Sequence, residues 1–156
     1  MRGYRIRTAV RIVLFDRNGR VLMVSAPKLG YFKLPGGGIE KGESKRLALI
    51  RETKEEVGAT FRITGTVGTT VEWRNRWHMR QTSYCYMGIM TGRGSSNLTE
   101  EERSCGFRVK WFPTIDAAIG AVKRVIIEEY EGTFIKRRER VFLERARAMM
   151  TTRKHA

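Results

Sequence analysis

Apolar and polar positions along the chain change their period several times, and each change marks an element. Residues 9–26, "AVRIVLFDRNGRVLMVSA", carry two runs rich in Val, Ile and Leu around Arg17-Asn18-Gly19-Arg20. Such runs flanking a short glycine-containing turn predict a β-hairpin. "KLGYFKLPGGG" (28–38) predicts a loop and a short strand broken at Pro35. "FRITGTVGTTVEW" (61–73) and "RQTSYCYMGIMTG" (80–92) are rich in β-branched and aromatic residues and predict two strands. "GRGSSNLTEEERS" (92–104) predicts a loop, and "FRVKWFP" (107–113) a short alternating strand ended by Pro113. Residues 114–130 predict a helix capped by Thr114. Residues 133–150, "TFIKRRERVFLERARAMM", predict an amphipathic helix with Phe134, Val141, Phe142, Ala146 and Met149 as its apolar stripe. Strands and helices are interspersed, so the class is α/β or α+β with one mixed sheet.

The densest pattern lies in residues 35–59, "PGGGIEKGESKRLALIRETKEEVGA". Ser44 suits an N-cap and Gly58 a C′ position, which predicts a helix of about four turns between them. On a wheel of about 100° per residue, Leu47, Ile50, Thr53 and Val57 form one stripe, read as core-facing. Glu52, Glu55 and Glu56 then share the exposed side. Like charges at i,i+4 cost about 0.2–0.5 kcal/mol per pair, and acids toward a helix C-terminus gain nothing from its dipole. A solvated charged face, softened by Arg51 and Lys54, is the ordinary explanation. Carboxylates kept against both rules also suit a hard divalent cation, which takes carboxylates, waters and substrate phosphates. Gly36-Gly37-Gly38 allows a sharp turn and a backbone carbonyl close to the same cation. An ordinary strand-to-helix turn is the alternative.

Composition narrows the choice. The chain has 156 residues, of which 41% are apolar, which suits one domain over residues 1–156 with a helical basic C-terminal segment at about 134–150. No run of about 18 apolar residues exists, so no membrane span is expected. Asp16 and Arg17 interrupt the first apolar stretch, against a signal peptide. Cys85 and Cys105 fit no zinc spacing, and a reduced cytoplasmic protein is the default. Lys and Arg total 31 against 16 acids, a net charge of +15. That excess attracts polyanions such as nucleotides or RNA, although a basic solvated surface has the same composition.

These residues resemble a known family. Gly37, Glu43, Arg51-Glu52, Thr53, Glu55-Glu56, Gly58 and Ala59 match the Nudix box, G-x5-E-x7-R-E-U-x-E-E-x-G-U with U aliphatic. Thr53 and Ala59 depart from it at U positions, which concern packing. The flanking order, with Phe32 to Gly37 as an aromatic-x-Leu-Pro-Gly-Gly entry, is similar to the family along nearly all of the chain. The resemblance implies an α/β/α sandwich with a central mixed β-sheet. It implies hydrolysis of a nucleoside diphosphate linked to another group X, with Mg2+ or Mn2+ as cofactor. Glu52 and Glu56 are then the main metal ligands, joined by the Gly37 carbonyl, and Glu55 is a ligand or the base. Glu43 and Arg51 are a pair that locks loop to helix. A further acid from a later loop is expected, with Glu101 or Glu100 favoured over Glu102.

The X group is less legible. A family marker for ADP-ribose hydrolases is a later proline, and none occurs between Pro35 and Pro113; a tyrosine marker of dinucleoside-polyphosphate hydrolases is missing from 59–83. Phe32, Trp73 and Trp77 are candidate base-stacking residues, with core packing as the alternative, favoured for Phe32 and less so for Trp77 in its charged setting. Arg74, Arg76 and Arg80 flank the tryptophans, and Arg80 is a candidate substrate contact; Lys28 and Lys33 could reach phosphates, with plain surface lysines as the favoured alternative. A nucleoside triphosphate is the favoured substrate. An RNA 5′-end pyrophosphohydrolase using the basic C-terminal helix, and a non-catalytic nucleotide sensor, are the alternatives. A homodimer stays open.

Overall fold

The computed structural model describes residues 3–154; Met1, Arg2, His155 and Ala156, which the expected domain includes, lie outside the described residues. The strands are β1 (Arg5–Phe15), β2 (Val21–Ala26), β3 (Tyr31–Lys33), β4 (Gly36–Gly38), β5 (Ala59–Arg74), β6 (Met79–Arg93) and β7 (Arg108–Phe112). The helices are α1 (Lys45–Val57), α2 (Glu100–Ser104), α3 (Ile115–Arg124) and α4 (Tyr130–Lys154).

β1 is the centre of the sheet. It runs parallel to β6 from Arg5 opposite Met79 to Phe15 opposite Ile89, and antiparallel to β2 and β4. β5 closes one side of the sheet antiparallel to β6, while β3 and β7 both pair with β2. Alternation along β1 sends Val10, Ile12 and Leu14 to one face, where Ala48, Leu49 and Val57 of α1 cover them. Val13 and Phe15 go to the other, where they meet α3 and α4 through Ala118, Ile119, Phe142, Leu143 and Ala146. The result is the expected α/β/α sandwich around a mixed sheet, because each helix buries an apolar stripe only against a sheet face.

Three local expectations change. Residues 92–104 are not all loop: Thr99 and Glu102 form a reciprocal capping box that starts α2, a Thr-x-x-Glu pattern visible in the sequence. The helix expected over 114–130 ends at Arg124, and Val125 is extended. Ile127 instead packs toward Ala26, Tyr31 and Ile135, so the chain reverses and α4 starts earlier and runs further than 133–150. The buried stripe of α4 also differs: Ile135, Phe142, Leu143 and Ala146 are covered, together with Arg138 and Glu139.

That buried carboxylate positions the glycine loop. Glu139, 0% exposed, accepts the Leu34 backbone N–H and the Arg138 Nε–H at 2.5 Å. Glu139→Ala removes the closer of the two carboxylates on the buried Arg138 guanidinium, leaving Glu72 at 3.4 Å, and orphans a backbone donor, so an expected loss of about 3 kcal/mol, the lower end for a broken buried pair, should appear in urea unfolding. A loss under about 1 kcal/mol would show that the bond to Leu34 does not anchor the loop.

Candidate active site

Gly36 is where sequence and fold meet most tightly. Its φ is +143°, and a Cβ there would lie 2.0 Å from the Val10 carbonyl oxygen, so only glycine fits. Its N–H donates to Glu56 Oε1 at 3.0 Å, and its carbonyl accepts from Arg11 Nη1 at 2.7 Å and from Lys33 Nζ at 3.1 Å. A Cβ on Gly37 would sit 2.5 Å from the Glu52 carboxyl carbon, so a glycine there lets that carboxylate lie against the loop.

The face of α1 that does this is not the expected one. Leu47 and Ile50 are exposed, at 58% and 43%, whereas Ala48, Leu49, Thr53, Val57 and Glu56 are buried. The inward arc is turned by about 100° from the expected stripe, and it carries Glu56 into the protein rather than into solvent. Burial pushes the Glu56 carboxyl up, and Lys33 and Arg11 hold it down. Its Oε2 lies 2.7 Å from Lys33 Nζ and has no aligned hydrogen-bond donor.

Arg51 organises the remaining acids. Its Nε and Nη2 donate to Glu43 at 2.7 and 2.8 Å, its Nη1 to Glu52 at 2.9 Å, and its Nη2 also to the Gly38 carbonyl at 3.1 Å. Glu55 is 3.5 Å from the same guanidinium and half-exposed. Partial burial and the Glu52 charge push its carboxyl up. The Arg51 bonds pull the Glu43 carboxyl down to about 2. The expected Glu43–Arg51 lock is thus present, and Arg51 extends it to Glu52.

Beneath the glycine loop lies a cavity of about 230 Å³ whose wall includes Arg7, Arg11, Lys33, Arg74 and Arg138. Three acids, Glu52, Glu102 and Glu131, complete its charged lining. Burial and the neighbouring Arg138 bring the Arg11 guanidinium down to about 10, and burial with Arg74 and Arg138 lowers Arg7 as well. Lys33, Arg74 and Arg138 are paired with Glu56, with Glu72 and Glu131, and with Glu72 and Glu139, whereas Arg7 and Arg11 donate to Gln81 and the Gly36 carbonyl and face the cavity without a carboxylate contact of their own. Tyr31 and Glu131 also line a second cavity of about 320 Å³ with Trp77 and Tyr130. Trp77 is 44% exposed, and Tyr130 meets its ring edge-on at 5.5 Å.

Several expected site residues lie elsewhere. Phe32 points away from the cavity and packs edge-on against Phe112 at 5.3 Å; period-two alternation puts its neighbours Tyr31 and Lys33 on the cavity side. Arg80 lies over Trp73, 5.5 Å from the ring centroid, not in the cavity wall. Glu101 is exposed, and Glu102 of the same turn lines the cavity instead. Lys28 donates to the Ser104 carbonyl at 2.7 Å. Arg7, Arg11, Tyr31, Glu131 and Arg138 were not foreseen, and Arg74 only as a neighbour of the tryptophans; in the sequence only the spacing of Arg7 and Arg11 on one side of β1 hinted at the others.

The donor set suits a hard cation: Glu52 and Glu56 stand one turn apart at the glycine loop, and the buried Glu56 Oε2 is met only by the Lys33 ammonium at 2.7 Å. Among the described residues no three His, Cys, Asp or Glu side chains converge as a ready-made cage. The chain's own cations occupy the carboxylates.

A sheet sandwiched by helices, with a glycine loop and an acidic helix beside a cavity lined by basic side chains, defines an α/β sandwich protein with its charged site at the glycine loop. The NUDIX domain model matches residues 5–130, and the chain belongs to the Nudix family. The RNA pyrophosphohydrolase of Ruthia magnifica is 38% identical over 71 residues, 46% of this chain and 38% of that protein. The CTP pyrophosphohydrolase of Escherichia coli is 36% identical over 67 residues, 40% of this chain and 47% of that protein. The matched stretch thus spans less than half the length of these relatives. A MutT NUDIX hydrolase from Burkholderia pseudomallei has the same fold, with a TM-score of 0.63 at 18% identity over 90% of this chain and 98% of that one.

Proposed function

We propose that this protein hydrolyses a pyrophosphate linkage at the triphosphate end of a nucleotide, with Mg2+ or Mn2+ as cofactor. The observation that carries the reading is the cavity in which Arg7, Arg11, Lys33, Arg74 and Arg138 gather under the glycine loop. Polyphosphate oxygens are the ligand that such a wall would neutralise. The adjoining cavity at Trp77 and Tyr130 supports a nucleotide, since a base has a π-face to lay on an exposed ring.

Glu52 and Glu56, with the Gly37 carbonyl, would hold the cation, in keeping with the divalent-metal use general to Nudix hydrolases. Such a cation supplies positive charge for the phosphate oxygens and a more acidic water. Glu55 takes the proton of the attacking water: it stands beside Glu52, half-exposed, with its carboxyl raised. Base catalysis of this kind contributes about 10²–10⁴-fold. Arg51 keeps Glu52 and Glu43 against the loop, and the arginines orient the phosphates.

An RNA 5′ end is the second reading, favoured by the names of several relatives. The arginines of α4 support it less than their number suggests. Arg140, Arg145, Arg147 and Arg153 already donate to Glu144, Thr69, Asp116 and Thr64.

The test is a panel of nucleoside triphosphates and 5′-triphosphorylated RNA, assayed for phosphate and pyrophosphate release with and without EDTA. Turnover of at least one nucleotide that EDTA abolishes and Mg2+ or Mn2+ restores is the expected result. Undiminished turnover after chelation would remove the metal. Nucleotide binding without any turnover would select a sensor. In the same assay Trp77→Ala should raise KM roughly tenfold or more at unchanged kcat, in line with about 1–3 kcal/mol for one stacked base. An unchanged KM would take Trp77 out of the base site.

A further inference from the structure

Glu56 is engaged before any metal arrives. Lys33 Nζ lies 2.7 Å from its Oε2, with side-chain exposures of 10% and 1%. The same ammonium donates to the Gly36 carbonyl, and the Gly36 N–H donates to the other Glu56 oxygen. Arg11 donates to the same carbonyl at 2.7 Å. One glycine residue, one carboxylate and two cations thus form a compact buried assembly. Glu56 is the most deeply buried carboxylate of the α1 acids, and Lys33 is the cation that touches it.

An ammonium and a divalent ion cannot share one buried carboxylate oxygen. In a low-dielectric interior their repulsion is far larger than in water, and Arg11 beside them adds to it. Lysine is also the cation best suited to leave. Its charge is a point on a flexible four-carbon stem, whereas an arginine fork is locked by its planar bonds. Lys33 already lines the same cavity as Arg7 and Arg11, so its ammonium can turn on its stem from Glu56 toward an anion bound there.

We propose that Lys33 is a displaceable counter-ion: it holds the Glu56 charge in the metal-free protein, yields that oxygen to a divalent cation, and passes to a phosphate oxygen of the substrate. This rests on the reading of Glu56 as a metal ligand. No bond is made or broken in the exchange; one ion contact replaces another. The consequence is a thermodynamic coupling. Metal binding carries the cost of evicting Lys33, and a phosphate in the cavity rewards the eviction, so each ligand tightens the other by the same factor.

The signature is a pair of effects of opposite sign from one substitution. In Lys33→Met the competitor is gone and the stem is kept. Mn2+ titrated alone, read by calorimetry or by the loss of its free-ion resonance, should bind at least about fivefold more tightly than in the wild type. With Mn2+ saturating, methylenediphosphonate, a pyrophosphate analogue that cannot be hydrolysed, should bind at least about fivefold more weakly. Lys33→Gln, which keeps hydrogen-bonding groups without the charge, should move both constants the same way and serves if the Met variant does not fold. An unchanged or weaker Mn2+ affinity in the variants overturns the proposal and leaves the metal reading standing. Tighter Mn2+ with unaltered diphosphonate binding overturns the transfer to phosphate. No Mn2+ binding in any of the three proteins overturns the metal reading and the proposal with it.

Discussion

Glu56→Gln is expected to lower turnover on the order of 10²–10³-fold, the equivalent of several kcal/mol of charge stabilisation at the phosphates, and also to destabilise the protein. From the helical wheel alone this residue belongs to solvent, and removing its charge should relieve repulsion. The structure reverses the sign. Glu56 is 3% exposed, and the substitution strands the Lys33 ammonium in a buried site. Breaking such a pair costs about 3–5 kcal/mol. The lower end applies here, because Lys33 retains the Gly36 carbonyl. For a chain of this size about 3 kcal/mol lowers the melting temperature by roughly 6–12 °C. Pairing the change with Lys33→Met removes both charges and should recover most of that loss, while turnover stays low. Calorimetry and a nucleotide assay on the single and double variants check both halves. A single variant with wild-type stability would mean that Lys33 and Glu56 are not a pair in solution.

Arg51→Ala should have the broadest effect of any single change in the box. One guanidinium holds Glu43, Glu52 and the Gly38 carbonyl and lies near Glu55. Its removal frees the loop and leaves three acids without their cation, so stability and activity fall together. Arg51→Lys should rescue little, because a lysine cannot donate along the separate directions that the fork serves. Glu43→Gln should reproduce part of the loss, and the double variant should be less destabilised than the sum of the singles. Strict additivity would separate the two residues. Acid sensitivity gives a second measure. The folded Glu43 carboxyl is depressed to about 2, below about 4.3 for a free glutamate. Its contribution is therefore complete above the unfolded value and fades as pH falls toward 2. The stability of the wild type should drop more steeply between about pH 4.5 and 2 than that of Glu43→Gln.

Much of the fold was legible because its determinants are local. Ser44 caps α1 by accepting from Leu47, three residues on, and Gly58 ends it with φ +67°. The hairpin of β1 and β2 follows from alternation around Arg17-Asn18-Gly19-Arg20. The box spacing placed Glu43 beside Arg51 across eight residues of loop and helix. Phe32, read both as a stacking candidate and as a core residue, packs against the core for an instructive reason. Large aromatics attract attention as stacking candidates, but a strand of three residues has only two sides, and Pro35-Gly36 commits the side of Lys33 to the cavity.

The sequence by itself determined the strand and helix types, the caps, the obligate glycines and the presence of a metal-compatible acid set. Each depends on φ, on hydrogen bonds a few residues long, or on charge count. Only the tertiary structure decided which arc of α1 turns inward, because that is set by the summed burial of Ala48, Leu49 and Val57 against Val10, Ile12 and Leu14 rather than by the helix alone. Tertiary structure alone also decided how the buried charges are balanced. Lys33 meets Glu56, Arg74 meets Glu131, Arg138 meets Glu72, and Glu139 reaches Leu34 across 105 residues. A buried charge must find a partner wherever the packed chain brings one, and no period in the sequence encodes that meeting.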